Sequence, residues 1–367
     1  MRIVQILSDL ESGVAAKAAL DFAHELVRLG HESIVISSGG ELVSRLTLRG
    51  SRHIQMPLHK ESLWSLRHVG RLRRLLAELQ ADVVHVSSRM PARITLRAWR
   101  GMPEDRRPRL VTAVDGIHSR SIFNAAMASG ERVVATSQRV ADCLQENLRK
   151  ELRVPPRVIY RGVNTREFDR DAPISGQWQL RLLNSYPQLE GKHWLLIPAS
   201  LSPENGQHTF LQILAAVARR QEDVFGLVVG SAEPGREKYA RALERQALEL
   251  GLSDKVLFLG ERRDMRELYA SAQITYHLSG RADTCGMIAT EALAMNCPVI
   301  AYGDGGSAEI LQRCFPQGLV ERDNLDALVE TSLKLLECPQ TIHFSGFSHE
   351  DTAAQTLALY RELCGSG

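Results

Sequence analysis

The residues best suited to chemistry fall in one stretch, Leu278 to Glu309. A strand-like run ends at Leu278, a polar loop follows, and a helix is expected to begin near Gly286. Glycine lets a ligand approach the backbone, and the free N–H groups of a helix start, Met287 among them, attract a phosphate. Asp283 lies in the loop and Glu291 sits eight positions further on, inside the helix. Two carboxylates beside a phosphate site can hold sugar hydroxyls, as the acids of ribose-binding sites do. The next strand runs into Gly303-Asp304-Gly305-Gly306, read as a flexible turn at the same sheet edge. Each feature is common alone, and Glu291 alone would be an ordinary solvated helix residue. Their order and spacing point together to a nucleotide or phosphorylated ligand.

The elements that position these groups alternate regularly. Arg2–Leu7, Ser33–Ser37, Val83–Val86, Leu110–Val114, Arg132–Ala135 and Arg157–Tyr160 read as strands. Helical spacing over Ala15–Leu29, Leu42–Arg49 and Leu63–Leu79 separates the earlier ones. A stretch rich in Asp, Pro and Ser, Thr165–Gln188, interrupts the pattern, which restarts at Trp194–Pro198. Strands at Phe225–Val229, Val256–Leu259, Ile274–Leu278 and Pro298–Ala301 then alternate with helices, and Thr352–Leu363 reads as a last helix. Alternation of this kind produces parallel sheets with right-handed crossovers. The expected architecture is α/β, with two Rossmann-like doubly wound domains facing a cleft where ligands of such sheets bind. The expected boundaries are residues 1–165 and residues 166–350, followed by a terminal helix, 351–367.

Composition narrows the function classes. The chain has 367 residues, enough for two domains, with 44% hydrophobic and 24% charged residues. The first segment is expected to be a strand rather than a signal peptide, which places the protein in the cytoplasm. Six scattered cysteines, at 143, 285, 297, 314, 338 and 364, lack metal-site spacing and are expected to be reduced thiols. Net charge is only +2. Residues 1–165 nevertheless carry 26 basic against 16 acidic side chains, so the first half is expected to meet something anionic. Basic residues on Leu63–Leu79 beside Leu63, Trp64 and Leu66 suit an anionic membrane surface, although a solvated helix face explains them equally well. Aromatics make up only 5% and no nucleic-acid motif is present, so nucleic acid is not an expected partner.

The stretch from Asp283 to Ala301 resembles the signature of glycosyltransferase family 4, in which an acid, seven residues and a glutamate precede A-x-A-x-G-x-P-V-I-A. Here the first acid is Asp283 rather than Glu, Cys285 stands where Phe is usual, and Asn296 stands for Gly. Leu250–Gly260, Tyr160–Phe168 and the glycine loop at Gly13 extend the resemblance over nearly the whole chain. His85, Arg89, Pro91 and Ala92 resemble the H-x-R-S-R-x-P-A run of branches acting on lipopolysaccharide core.

The resemblance implies a GT-B fold, a terminal helix, 351–367, that returns to the first domain, and transfer of a sugar with retention of configuration. It implies no metal or other cofactor, with a nucleotide sugar, a UDP-sugar, as substrate. Donor binding would fall to Gly13, Ser200, Asn205, Gly286, Met287 and Glu291. Acceptor binding would fall to His85 and Arg89, and the acceptor would be an anionic glycan or glycolipid of lipopolysaccharide-core type. The expected location stays the cytoplasm, with the inner face of its membrane as the alternative that the basic first half allows. Front-face attack, with the leaving phosphate helping to deprotonate the acceptor, is the implied mechanism.

Two departures bear on catalysis. The family's Arg and Lys, which hold the donor diphosphate, are replaced by Ser200 and Asn205. Arg281 or Arg262 is expected to compensate, and a non-catalytic, glycan- or partner-binding relative is the alternative. Asp115 stands where the family has histidine, and together with Asp283 it is the expected catalytic carboxylate, able to orient an acceptor hydroxyl or take its proton.

Overall fold

A computed structural model describes residues 1–11, 13–58, 67–116, 122–232, 235–280, 283–338 and 340–365. The chain divides into two units, Met1–Gly162 with Phe347–Gly367, and Val163–Gly346. Residues 63–66 and Arg281, both singled out by the sequence, lie outside the described residues.

The first unit is built on seven parallel strands. They are β1 (Arg2–Ile6), β2 (Glu32–Ser37), β3 (Arg52–Gln55), β4 (Val83–Val86), β5 (Arg109–Val114), β6 (Arg132–Ala135) and β7 (Arg157–Val158), in the order β3-β2-β1-β4-β5-β6-β7. Strand β1 pairs Ile3 with Ser33 on one side and with Val83 on the other. Helices α1 (Val14–Arg28), α2 (Val43–Leu48), α3 (Arg67–Leu79), α4 (Arg89–Arg100), α5 (Ile122–Met127) and α6 (Gln138–Leu148) make the crossovers. Both faces are covered, so the strands read as continuous apolar runs rather than as alternation. Val4, Ile6, Val84 and Val86 pack with Leu72, Leu76, Ile94 and Trp99 on one face. Ile3, Val83, Val111 and Val134 pack on the other face against Leu357, Leu359, Tyr360 and Leu363 of the last helix, α14 (His349–Cys364). A capping box starts α14: Ser348 Oγ accepts from Asp351 N–H at 3.0 Å, and Asp351 Oδ2 accepts from Ser348 N–H at 2.9 Å.

The second unit carries six parallel strands. They are β8 (His193–Pro198), β9 (Val224–Val229), β10 (Val256–Gly260), β11 (Ile274–His277), β12 (Val299–Tyr302) and β13 (Leu319–Val320), in the order β10-β9-β8-β11-β12-β13. Helices α7 (Gly176–Ser185), α8 (Gln207–Ala218), α9 (Glu237–Glu249), α10 (Met265–Ser271), α11 (Met287–Ala294), α12 (Gly306–Cys314) and α13 (Leu325–Glu337) surround it. The order reverses between β8 and β11, the switch point where ligands of such sheets bind beyond the strand ends.

Three readings change. The turn expected at Gly303–Gly306 is the start of a helix: Gly305 has φ +85° and Glu309 N–H bonds back to Gly305 O at 3.2 Å. The supposed linker contains α7, whose Trp178 and Leu182 are buried. Helix α4 was not anticipated, although its arginines at 89, 93 and 97 repeat every four residues beside buried Ile94, Ala98 and Trp99.

Candidate functional site

At the β8–β11 switch point, three loops of the second unit converge. The loop after β11 ends at Gly286, which caps α11 in the left-handed region at φ +68°. A Cβ at Gly286 would press into the Ile310 side chain and the Gly306 backbone, so the starts of α11 and α12 touch here. The first intrahelical bond runs from Thr290 N–H to Gly286 O at 2.9 Å, and the amides of Met287, Ile288 and Ala289 lie ahead of it at the positive end of the helix.

Asp283 organises this junction. Its carboxylate accepts Gly286 N–H at 2.7 Å, Cys285 N–H at 3.1 Å and Ser307 O–H at 2.8 Å, and its carbonyl accepts Gly306 N–H at 2.7 Å. Ser307 spends its single proton on Asp283, so it accepts from His277 Nδ1–H at 2.8 Å, which fixes the histidine tautomer. Burial pushes the His277 pKa down, with Asp283 and Asp304 pulling it back up, so the ring is neutral near pH 7. One aspartate thus ties the loop to the starts of two helices. Glu291, within α11, accepts Tyr269 O–H at 3.2 Å. Burial, then Glu291, raises the Tyr269 pKa well above its ordinary value, which keeps the phenol a donor.

In the loop after β8, Asn205 Nδ2 donates to Ser200 O at 2.8 Å and to Ser200 Oγ at 3.2 Å. These two residues thus hold each other, as a neutral pair. Gly206 follows at φ +77° and begins α8 against the Leu278 backbone. Gly280 N–H bonds to Glu204 O at 2.6 Å and joins this loop to the one after β11. Glu204 pairs with Arg236 at 3.0 Å.

Arg262 is engaged elsewhere. Its Nε and Nη2 both reach Asp264, at 2.9 and 2.5 Å, and Asp264 also accepts Trp178 Nε1–H at 2.6 Å. Arg322 grips both Asp304 oxygens at 2.7 and 2.8 Å, donates to Ser279 O at 3.0 Å and stacks 4.6 Å from the Tyr302 ring centre.

In the first unit, Gly13 caps α1 and Arg89 opens α4, so both lie at the β1–β4 switch point. Asp115 follows β5, and its carboxylate pairs with Arg161 at 2.9 Å. His85 lies within β4 rather than beyond it. Its Nδ1 bonds the Tyr360 hydroxyl of α14, and its ring lies 6.0 Å from those of Phe22 and Tyr360. Burial pushes the His85 pKa down to about 4.

The sequence reading did not single out His277, Ser307, Glu204, Arg236 or Arg322. Their partners sit 18 or more residues away along the chain, from Asp304 at 18 residues from Arg322 to Glu204 at 32 from Arg236 and Ser279 at 43 from Arg322. Only the polar His277 at the end of an apolar strand could have been noticed in advance.

Two family models match consecutive parts of the chain. Residues 15–167 match Glycosyltransferase Family 4, and residues 182–344 match Glycosyl transferases group 1. The chain belongs to the glycosyltransferases. A lipopolysaccharide core biosynthesis mannosyltransferase of Rhizobium meliloti is 23% identical over 56% of this chain and 56% of its own length. The chain therefore spans little more than half of that curated relative. A glycosyltransferase structure from Rickettsia africae superposes with a TM-score of 0.81 at 22% identity, covering 100% of this chain and 99% of that one. The Anabaena HepE structure in complex with UDP gives 0.75 at 21% identity, covering 99% and 95%. At these identities the structural likeness establishes the GT-B fold: two Rossmann-like units with parallel sheets.

Proposed function

We propose that this glycosyltransferase moves a sugar from a UDP-sugar to a lipopolysaccharide-core or other anionic cell-surface glycan, with retention of configuration and without a metal. The observation that carries the reading is the β8–β11 switch point. There the amides of α11, Glu291 and the Ser200–Asn205 loop meet at one sheet edge of a glycosyltransferase. The α11 amides would take the diphosphate and Glu291 the ribose. Asp283, with its carboxylate turned onto Gly286, would shape the sugar pocket through the loop it holds. Asp115, paired with Arg161, would act on the acceptor hydroxyl. The UDP complex of HepE supports the donor, and the Rhizobium relative supports the acceptor class.

The test is a thermal-shift screen of UDP, GDP and their sugars, because a ligand of the native state alone raises its apparent stability. Transfer to isolated core glycan, with product stereochemistry read by NMR, follows. A flat screen and inverted product would each end the corresponding part of the reading.

Location at the inner membrane face belongs to the same proposal. Among the described residues no helix is long and apolar enough to cross a membrane. Arg67, Arg71, Arg73, Arg74, Arg97 and Arg100 are exposed on the paired helices α3 and α4. Co-sedimentation with anionic vesicles should weaken steeply with salt, because exposed charges are screened over about 10 Å at 0.1 M. Binding indifferent to lipid charge would refute it.

One observation favours a second reading. The neutral Ser200–Asn205 pair leaves the β8 loop without the cations of related enzymes, as a non-catalytic relative would be. Binding of nucleotide sugar without hydrolysis or transfer would establish that reading.

A further inference from the structure

The loop that should clamp a diphosphate carries Ser200 and Asn205, so its positive charge must come from elsewhere or be absent. The neighbouring β9–α9 loop runs directly along it. Ala199 N–H bonds Val229 O at 2.9 Å, and Leu201 N–H bonds Ser231 O at 3.0 Å. Gly230 makes this approach possible: it has φ +137°, and a Cβ there would overlap the Ala199 carbonyl. The same loop ends at Arg236, the residue that precedes α9. Arg236 Nη1 lies 3.0 Å from Glu204 Oε2, one residue before Asn205. Glu204 is joined through its carbonyl to Gly280, three residues before Asp283. The guanidinium is therefore held beside the β8 loop, by a residue whose backbone also bonds the loop that leads into α11, and its side chain is 41% exposed.

Among the described residues, Arg262 and Arg322 are less suited. Arg262 is bound through two nitrogens by Asp264, which Trp178 anchors in turn. Arg322 is fixed by Asp304, Ser279 and the Tyr302 ring, on the β12–β13 side of the loop.

We infer that Arg236, delivered by the β9–α9 loop, binds the donor diphosphate in place of the missing Arg–Lys pair, with Glu204 holding it poised in the free protein. This rests on the nucleotide-sugar reading above. A guanidinium offers a planar fork that matches phosphate oxygens in pairs. A diphosphate brings more negative charge than one carboxylate, so it competes successfully for the cation. Glu204 is then a rival anion beside the ligand, and its removal should favour binding.

The experiment is isothermal titration of the full chain with UDP, GDP and the two parent nucleosides, for wild type, Arg236→Gln, Arg236→Lys and Glu204→Gln. Wild type should prefer a diphosphate to its nucleoside. Arg236→Gln should weaken the diphosphate roughly 10- to 100-fold, the loss expected for one charge-assisted contact, and leave the nucleoside unchanged. Unchanged nucleoside binding also shows that the variant is folded. Arg236→Lys should fall between, and Glu204→Gln should bind the diphosphate more tightly than wild type. If wild type prefers the diphosphate and Arg236→Gln matches it, the Arg236 assignment is overturned and the nucleotide-sugar reading survives. If wild type shows no preference for either diphosphate, the underlying reading fails and the assignment falls with it.

Discussion

Replacing Gly286 by alanine separates two costs that are usually confounded. Gly286 and Gly191 both have φ +68°, and both lie in the second unit. A left-handed backbone costs an L-residue about 1–2 kcal/mol, so both alanine variants pay that amount. Around Gly191 a new Cβ meets nothing within 4 Å, whereas at Gly286 it presses on Ile310 and the Gly306 backbone. Overpacking of this kind adds about 1–3 kcal/mol. Gly286→Ala should therefore lose roughly 2–5 kcal/mol and Gly191→Ala only about 1–2 kcal/mol. Urea denaturation of the two variants in parallel reads the difference directly. Because Gly306 must move, the starts of α11 and α12 separate, and nucleotide affinity should fall in Gly286→Ala alone. Equal stabilities within about 0.5 kcal/mol would refute the close packing of the two helix starts.

Glu291→Ala should weaken nucleotide binding about 10-fold and, by leaving the buried Tyr269 hydroxyl without its acceptor, cost about 1–3 kcal/mol in stability. A thermal melt with and without UDP checks both, and unchanged nucleotide affinity would remove Glu291 from the donor site. His85, with its pKa depressed to about 4, binds protons more readily unfolded than folded. Its contribution is therefore complete above about pH 6.5 and is lost as pH falls toward 4, by at most about 3 kcal/mol. Denaturation midpoints between pH 7.5 and 4.5 should fall less steeply in His85→Gln, and an identical slope would contradict the burial argument. Asp264→Asn should lower stability at neutral pH by about 1–3 kcal/mol, because it breaks the paired contact to Arg262. An Asp264 pKa held below its ordinary value, burial opposing and Arg262 and Trp178 prevailing, means that wild type converges on the variant only in acid.

Fold class was legible because parallel sheets buried on both faces leave unmistakable apolar runs, such as Trp194–Pro198 and Phe225–Val229. What the sequence concealed has local causes. Glycines at 303, 305 and 306 read as a turn, yet Gly305 supplies the positive φ that begins α12 and Gly306 lets that start lie against α11. Helix α7 was hidden because only Trp178 and Leu182 face inward, too few to set a period. The carboxylates Asp283 and Glu291 could be named from spacing, but their partners could not. Ser307, His277 and Tyr269 come from other elements, and no pattern along the chain relates them to the acids they serve. Likewise, the exchange of two cations for Ser200 and Asn205 was visible, while the arrival of Arg236 beside them is a property of the sheet order.

The return of α14 to the first unit has a consequence for biosynthesis. Leu357, Leu359, Tyr360 and Leu363 complete the apolar layer over Ile3, Val83, Val111 and Val134. A ribosome makes that sheet first and its cover last, with all of Val163–Gly346 emerging in between. At about 5–20 residues per second, the uncovered face waits on the order of ten to forty seconds. During that interval the nascent first unit is a sticky, incomplete sheet, open to chaperones and to neighbouring chains. Stop codons placed anywhere in the second unit should therefore yield aggregated fragments, whereas a circular permutant that joins α14 ahead of β1 should let the first unit close as soon as it is made.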